Sequence, residues 1–136
     1  MPKLSSRTVL TLDAAKEIMA AAEAEARKNN WNVSIAILDE SGRLVMLQRL
    51  DGAPPASVDV CQAKGRSAAL FKRPTKVFSD AVSGGRVAVM SLPGAVAVEG
   101  GLPLLSGGEC IGGIGVSGVM SEQDAQIGAA GAARLN

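Results

Sequence analysis

The segment "CIGGIGVSGVMSEQD", Cys110 to Asp124, limits what this chain can fold into more than any other stretch. Gly113, Gly115 and Gly118 carry the G-x-G-x-x-G spacing of a dinucleotide loop. That loop needs a strand before it, a helix directly after it, and a return strand with an acid about 20 residues on. The sequence ends at Asn136, so Gly118 is followed by room for one helix and no second strand. A doubly wound fold is therefore not expected. No Gly-Lys-Ser/Thr follows the glycines, which excludes a P-loop. Ser117 is followed directly by Gly118, so G-x-S-x-G is not matched and there is no nucleophile elbow. What remains is a strand without side chains on part of one face. Such a strand marks the close approach of another backbone or of a ligand.

Composition narrows the core in the same direction. Of 136 residues, 47% are apolar but only 2% aromatic, with one Trp and no Tyr. One domain over residues 1–136 is expected, its core built from Ala, Val, Ile, Leu and Met with closely spaced backbones. A net charge of +1 supplies no field for nucleic acid, and so few rings give no stacking platform for single strands. Cys61 and Cys110 form no C-x-x-C pair and read as reduced thiols. The complete absence of His removes the Ser-His-Asp and Cys-His arrangements, the usual zinc sites and imidazole ligation of haem iron. "MPKLSSRTVLTLD" lacks a signal-peptide core, and "VAVMSLPGAVAV" is broken by Pro93-Gly94 and too short to span a bilayer. A cytoplasmic protein without membrane association is expected.

Periodicity orders the elements. Leu12, Ala15, Ile18, Met19, Ala22 and Ala26 recur at helical spacing, with Thr11 or Asp13 as cap and Asn29-Asn30 as the end. "NVSIAILDESGRLVMLQRL" reads as a hairpin turning at Asp39–Gly42, and Pro54-Pro55 forbids its continuation. Ser57 is expected to cap a second helix running to Phe71, in which Gly65 permits a close crossing. A short helix near 77–82 precedes an irregular connector. Two strands then flank a Ser106-Gly107-Gly108 turn, and Ser121 with Asp124 suggests a capping box for the last helix. The order α-ββ-α-loop-ββ-α predicts an α+β domain, an antiparallel sheet with helices packed on it.

Few residues could carry chemistry. Arg49 ends a strand with Asp51 two positions on, which suits either a structural pair or a guanidinium fork for a carboxylate. Lys64 lies in an apolar helix; it either snorkels to solvent or turns inward as a base or amine nucleophile. Glu99 and Glu109 flank the glycine segments as solvated turn acids or pocket walls, and Ser117 either bonds a strand neighbour or faces a ligand.

Four blocks in order, "VSIAILDESGRLVMLQRLDGAPPAS", "AKGRSAA", "GGLPL" and "GGIGVSGVMSEQDAQIG", resemble the GlcG/HbpS family, also called domain of unknown function 336, which includes the C-terminal domain of PduO-type proteins. They run from Val33 to Gly128, most of the chain. The resemblance implies a profilin-like α+β fold and a dimer-based homo-oligomer of up to eight subunits. It also implies haem or corrinoid-related binding, or service beside operons for glycolate or aromatic breakdown. The positions matching the family blocks are Arg49, Asp51, Ser57, Lys64, Gly100 to Pro103 and Gly115 to Gly118. Without His or Tyr, a haem ligand would have to be Met, Cys or Lys, so no cofactor and no metal is expected.

The leading expectation is an auxiliary, metal-independent catabolic enzyme. It would hydrolyse or isomerise a small unsaturated oxo-, hydroxy- or amino-acid, such as a muconic semialdehyde. Arg49, Asp51 and Lys64 would be catalytic, with Ser57, Gly101, Gly115, Ser117 and Glu109 joining Arg49 around the substrate. The alternatives are a haem- or tetrapyrrole-binding protein without a His ligand, and a chaperone-like ring that does no chemistry.

Overall fold

A computed structural model describes all residues, 1–136. The first helix, α1 (Leu12–Lys28), begins where Thr11 accepts a hydrogen bond from the Ala14 N–H at 3.1 Å. Its Ala15, Ile18, Met19, Ala22 and Ala26 are buried, as their spacing requires. Strands β1 (Ser34–Asp39) and β2 (Leu44–Arg49) form the expected hairpin. The Asp39 carboxylate holds its turn by accepting from the Ser41 and Arg43 N–H groups, and Gly42 takes a φ of +78° there. After α2 (Ser57–Phe71) and α3 (Lys76–Ser83), a 3-10 turn at Val87–Ser91 leads into β3 (Gly101–Ser106), β4 (Glu109–Ser117) and α4 (Ser121–Ala132).

The strands make one antiparallel sheet in the order β2-β1-β4-β3, so the fold is the expected α+β assembly. Register decides which face each side chain takes. Ile35 pairs with Val116 and Ile37 with Ile114, and these four bury against α1 and α4 in the main core. The opposite face carries Ala36, Gly115 and Gly101 in one row, with Leu38, Gly113 and Pro103 in the next. Helix α2 lies on this second face. A Cβ on Gly115 would fall inside the Cys61 carbonyl oxygen and the Gly65 amide, and one on Gly113 inside the Gly65 carbonyl. The glycine strand is bare because a helix backbone rests on it.

Two expected caps do not form. Ala56 already has helical dihedrals, so Ser57 is the first residue of α2 rather than its cap. The Ser57 hydroxyl is instead buried between the Pro54 carbonyl and Ser34 Oγ, 2.8 Å away. At α4, Met120 occupies the cap position and its N–H is taken by the Gln123 side chain. Asp124 has a different partner.

Candidate functional site

That partner is Lys64. Its ammonium donates to Asp124 Oδ2 at 3.1 Å and to the Val116 carbonyl at 3.0 Å, with the two side chains 2% and 3% exposed. Gly100, at φ +133°, leaves room for the lysine: a Cβ there would meet Nζ at 2.6 Å. Asp124 Oδ1 accepts from the Val119 N–H, which fastens the loop between β4 and α4. Burial raises the Asp124 pKa above its ordinary value, opposed by the charge and hydrogen bond of Lys64 and by the Val119 and Gly118 amides. Lys64 thus turns inward, one of its two readings in the sequence, but its polar contacts are Asp124 and Val116 rather than Arg49 or Asp51.

The other sequence candidates separate to the two ends of the strands. At the end where β1 begins, Ser34 faces Arg49 on one side and Ser117 on the other. Arg49 donates through Nη2 to the Ala53 carbonyl at 2.9 Å, which anchors the loop before α2. Arg49 and Asp51 share a recess of 290 Å³ with Glu23, Arg27 and Gln48. It adjoins a second, 230 Å³ in volume, lined by Asn30, Trp31 and Asn32 along with Arg27, Leu50 and Asp51. Gly101 and Gly115 lie beneath α2, against the backbones of Lys64 and Cys61.

Glu109 belongs to the opposite, hairpin-turn end. There it borders a recess of 540 Å³ with Arg7, Glu40, Lys72, Leu105 and Cys110. The half-buried Cys110 thiol donates to the Gly112 carbonyl at 3.4 Å. Cys61, fully buried under α2, differs: burial pushes its thiol up to about 12. A fourth recess, 310 Å³ and mainly apolar, lies between β3 and α4 along Leu102, Pro103, Leu105 and Ala129. No group of three or more Cys, Asp or Glu side chains is placed to hold a metal ion. No helix is long and apolar enough to cross a membrane.

Several residues of these sites escape sequence reading. Asp124 looks like a local cap, and only the folded chain brings it to Lys64. Gln48 looks like the polar half of a strand alternation, yet its Oε1 is buried without a partner. Arg7 and Lys72 carry no motif at all.

Comparison with known proteins sets these recesses in context. The family model described as haem-degrading, HbpS-like protein matches residues 10–133. GlcG of Escherichia coli K12 is 42% identical over 114 residues, 84% of this chain and 85% of its own length. The crystal structure of a double mutant of HbpS from Streptomyces reticuli superposes with a TM-score of 0.89 at 34% identity, covering 98% of this chain and 91% of that one. A crystallised PduOC–haem complex superposes at 0.86 with 27% identity, over 95% and 96% of the two chains. These findings overturn the expectation that no cofactor is involved. A protein of this fold, aligned over nearly the whole chain, is a haem complex, and the absence of His does not outweigh that.

Proposed function

This chain belongs to the HbpS-like family, and from that premise we propose that it is a haem- or tetrapyrrole-binding protein whose site is the recess at the hairpin-turn end. One observation carries the placement: Cys110, the half-buried soft donor, lines a 540 Å³ recess that also holds Arg7 and Lys72. The donor set fits haem on this chain's own terms. Lys64 is enclosed by Asp124, and Cys61 is sealed under α2 with its thiol held protonated. Cys110 is left as the thiol open to a ligand, and Cys thiolate is an established haem donor. Arg7 and Lys72 supply charge for two propionates, while Leu105 and Ala69 supply apolar wall. When bound, haem contributes an iron centre whose potential follows its axial ligand and burial. Glu40 orients the Arg7 guanidinium, and Cys110 would give up its proton and its hydrogen bond to the Gly112 carbonyl on ligating iron.

The family description and the haem complex among the fold neighbours favour this reading over metal-independent hydrolysis or isomerisation of a ring-cleavage acid. Free thiols at Cys61 and Cys110 suit a reducing, cytoplasmic compartment. Self-assembly belongs to the same reading. Val87 and Met90 are 63% and 65% exposed, and Leu92 and Val98 of the same connector are also exposed, a surface suited to a second copy of the chain.

Titration of the purified protein with haem tests the reading. A Soret band that saturates at one haem per chain is expected. Cys110→Ala is expected to shift that band and weaken binding about tenfold or more. A titration without saturation refutes haem binding, and an unshifted band in Cys110→Ala refutes the ligand assignment.

A further inference from the structure

The two edges of the sheet are finished differently. On the β3 side the Val116 N–H donates to the Gly100 carbonyl at 3.0 Å. Alternation from that pair turns Leu102 and Leu104 toward β4 and leaves Gly101 and Pro103 facing outward. Both outward positions are closed. Gly101 donates to Thr75 Oγ1 and accepts from the Thr75 N–H, each at 3.0 Å, and Pro103 has no N–H to offer. On the β2 side the Leu50 N–H donates to the Val33 carbonyl at 2.9 Å. Met46 and Gln48 therefore bond to β1, while Leu47 and Arg49 turn their N–H and C=O groups outward. No other backbone group of the chain reaches them.

An open edge without Lys or Pro is a template for a further strand. β2 has neither; its Leu44 is 48% exposed, and Val45, Met46 and Leu47 are half-buried. Val45 is the extra residue of a bulge, which leaves residues 46–49 as the regular part. Charge selects the occupant. Arg43 stands just before β2 and Asp51 just after it, equally far from Leu47 along the chain. Both are exposed, and neither has an ion-pair partner in its own chain. An antiparallel copy of β2 centred on Leu47 brings the Arg43 of each copy toward the Asp51 of the other, so the contact is made twice. The same two-fold axis makes the outward N–H and C=O of the two Leu47 residues reciprocal partners. We propose that β2 pairs with β2 of a second copy of this chain, joining the two four-stranded sheets into one continuous sheet. This edge is separate from the connector carrying Val87 and Met90 and from the Cys110 recess, and it stands or falls independently of haem binding.

Sedimentation equilibrium on the full-length protein, with hydrogen exchange read amide by amide by NMR, tests the pairing. Arg43→Glu and Asp51→Arg are each expected to weaken self-association about tenfold or more, because each sets like charges together twice per pair. The double variant R43E/D51R restores opposite charges and is expected to recover it. All three substitutions lie outside β2 and are checked for native circular dichroism. The Leu47 and Arg49 amides are expected to exchange at least about tenfold more slowly in the associated parent than in Arg43→Glu at the same concentration. That readout separates pairing at this edge from contact through the connector, which leaves both amides open to water. The proposal is overturned by a parent that stays monomeric up to roughly 1 mM. It is equally overturned by Leu47 and Arg49 amides that exchange as freely in the associated parent as in Arg43→Glu, or by a folded R43E/D51R that associates no better than the single variants.

Discussion

Replacing Lys64 by Met keeps most of the side-chain volume and removes the ammonium. Asp124 then stays 3% exposed, and its Oδ2 loses the donor that stood 3.1 Å away. Oδ1 keeps the Val119 N–H, so the loop retains one of its ties. Breaking a buried pair in this way costs about 3–5 kcal/mol, because one charge is left uncompensated. With a urea slope of about 1–3 kcal/mol/M, the unfolding midpoint should fall by about 1–5 M. The loss should depend on pH, with a sign set by Asp124. Its folded pKa is already raised above the ordinary 3.8 by burial, and Lys64 opposes that rise. A carboxyl raised in the native state adds stability below its unfolded pKa and loses it as pH climbs through the folded one. Without Lys64 the rise is larger, so the deficit of the variant should be greatest near pH 7 and smaller near about pH 4.5. Removing both charges in K64M/D124N, which keeps an oxygen for the Val119 N–H, should restore most of the stability. Urea unfolding at the two pH values checks this. A loss below about 1 kcal/mol, or an equal loss at both, would refute the view of Lys64–Asp124 as a buried, charge-compensated tie.

Other substitutions address the remaining contacts. Gly115→Ala places a methyl group inside the Cys61 carbonyl and Gly65 amide, so thermal unfolding should show a loss of about 1–3 kcal/mol or more. A thiol-specific reagent at pH 8 should modify Cys110 quickly and Cys61 only as the protein unfolds, since burial holds the Cys61 thiol up at about 12; two equally fast thiols would contradict the buried position. Met90→Glu, on the exposed connector, should reduce the mass measured by light scattering if copies of the chain meet there, while the monomer fold stays intact.

The parts of the fold that are legible in the sequence are those written in local periodicity. Helix α1 follows from the spacing of Leu12 to Ala26, and the first hairpin from alternation around Asp39–Gly42. Gly65 rightly signals a close crossing, because a small residue is required at its own position. The failures occur where a polar side chain finds a distant partner. Ser57 is a fine cap by composition, but the turn at Pro54-Pro55 carries helical dihedrals into Ala56, and its hydroxyl turns to Ser34. Asp124 has the spacing of a cap, but Lys64, sixty positions away, offers a stronger interaction in a dry setting. Counting along the strand pairs Arg49 with Asp51, but the strand ends at Arg49 and the two residues meet only as walls of one recess. Between α3 and β3, positive φ at Gly85, Gly94 and Gly100 interrupts any period, so that connector shows no pattern to read.

The bare strand also dictates where ligands can go. Because α2 lies directly on Gly113 and Gly115, the glycine face of the sheet has no space left for a small molecule. The other face is filled by α1 and α4 around Ile35, Ile37, Ile114 and Val116. Open recesses are left at the ends of the strands, where loops and helix termini meet, and in the groove between β3 and α4. The Cys110 recess lies at the hairpin turns, and the recess bordered by Arg27 and Asp51 lies where β1 begins. Six-residue strands put these ends about 15–20 Å apart at about 3.3 Å per residue. Substitutions at that separation normally add without coupling. Coupling between the two sites would have to pass through the sheet itself, and its central strands are pinned from both faces: β4 by Lys64 and Gly115 against α2, β1 by Ile35 and Ile37 against α1. A framework clamped in this way transmits little displacement from one end to the other, so Asp51→Asn should leave the haem affinity read by Soret titration unchanged.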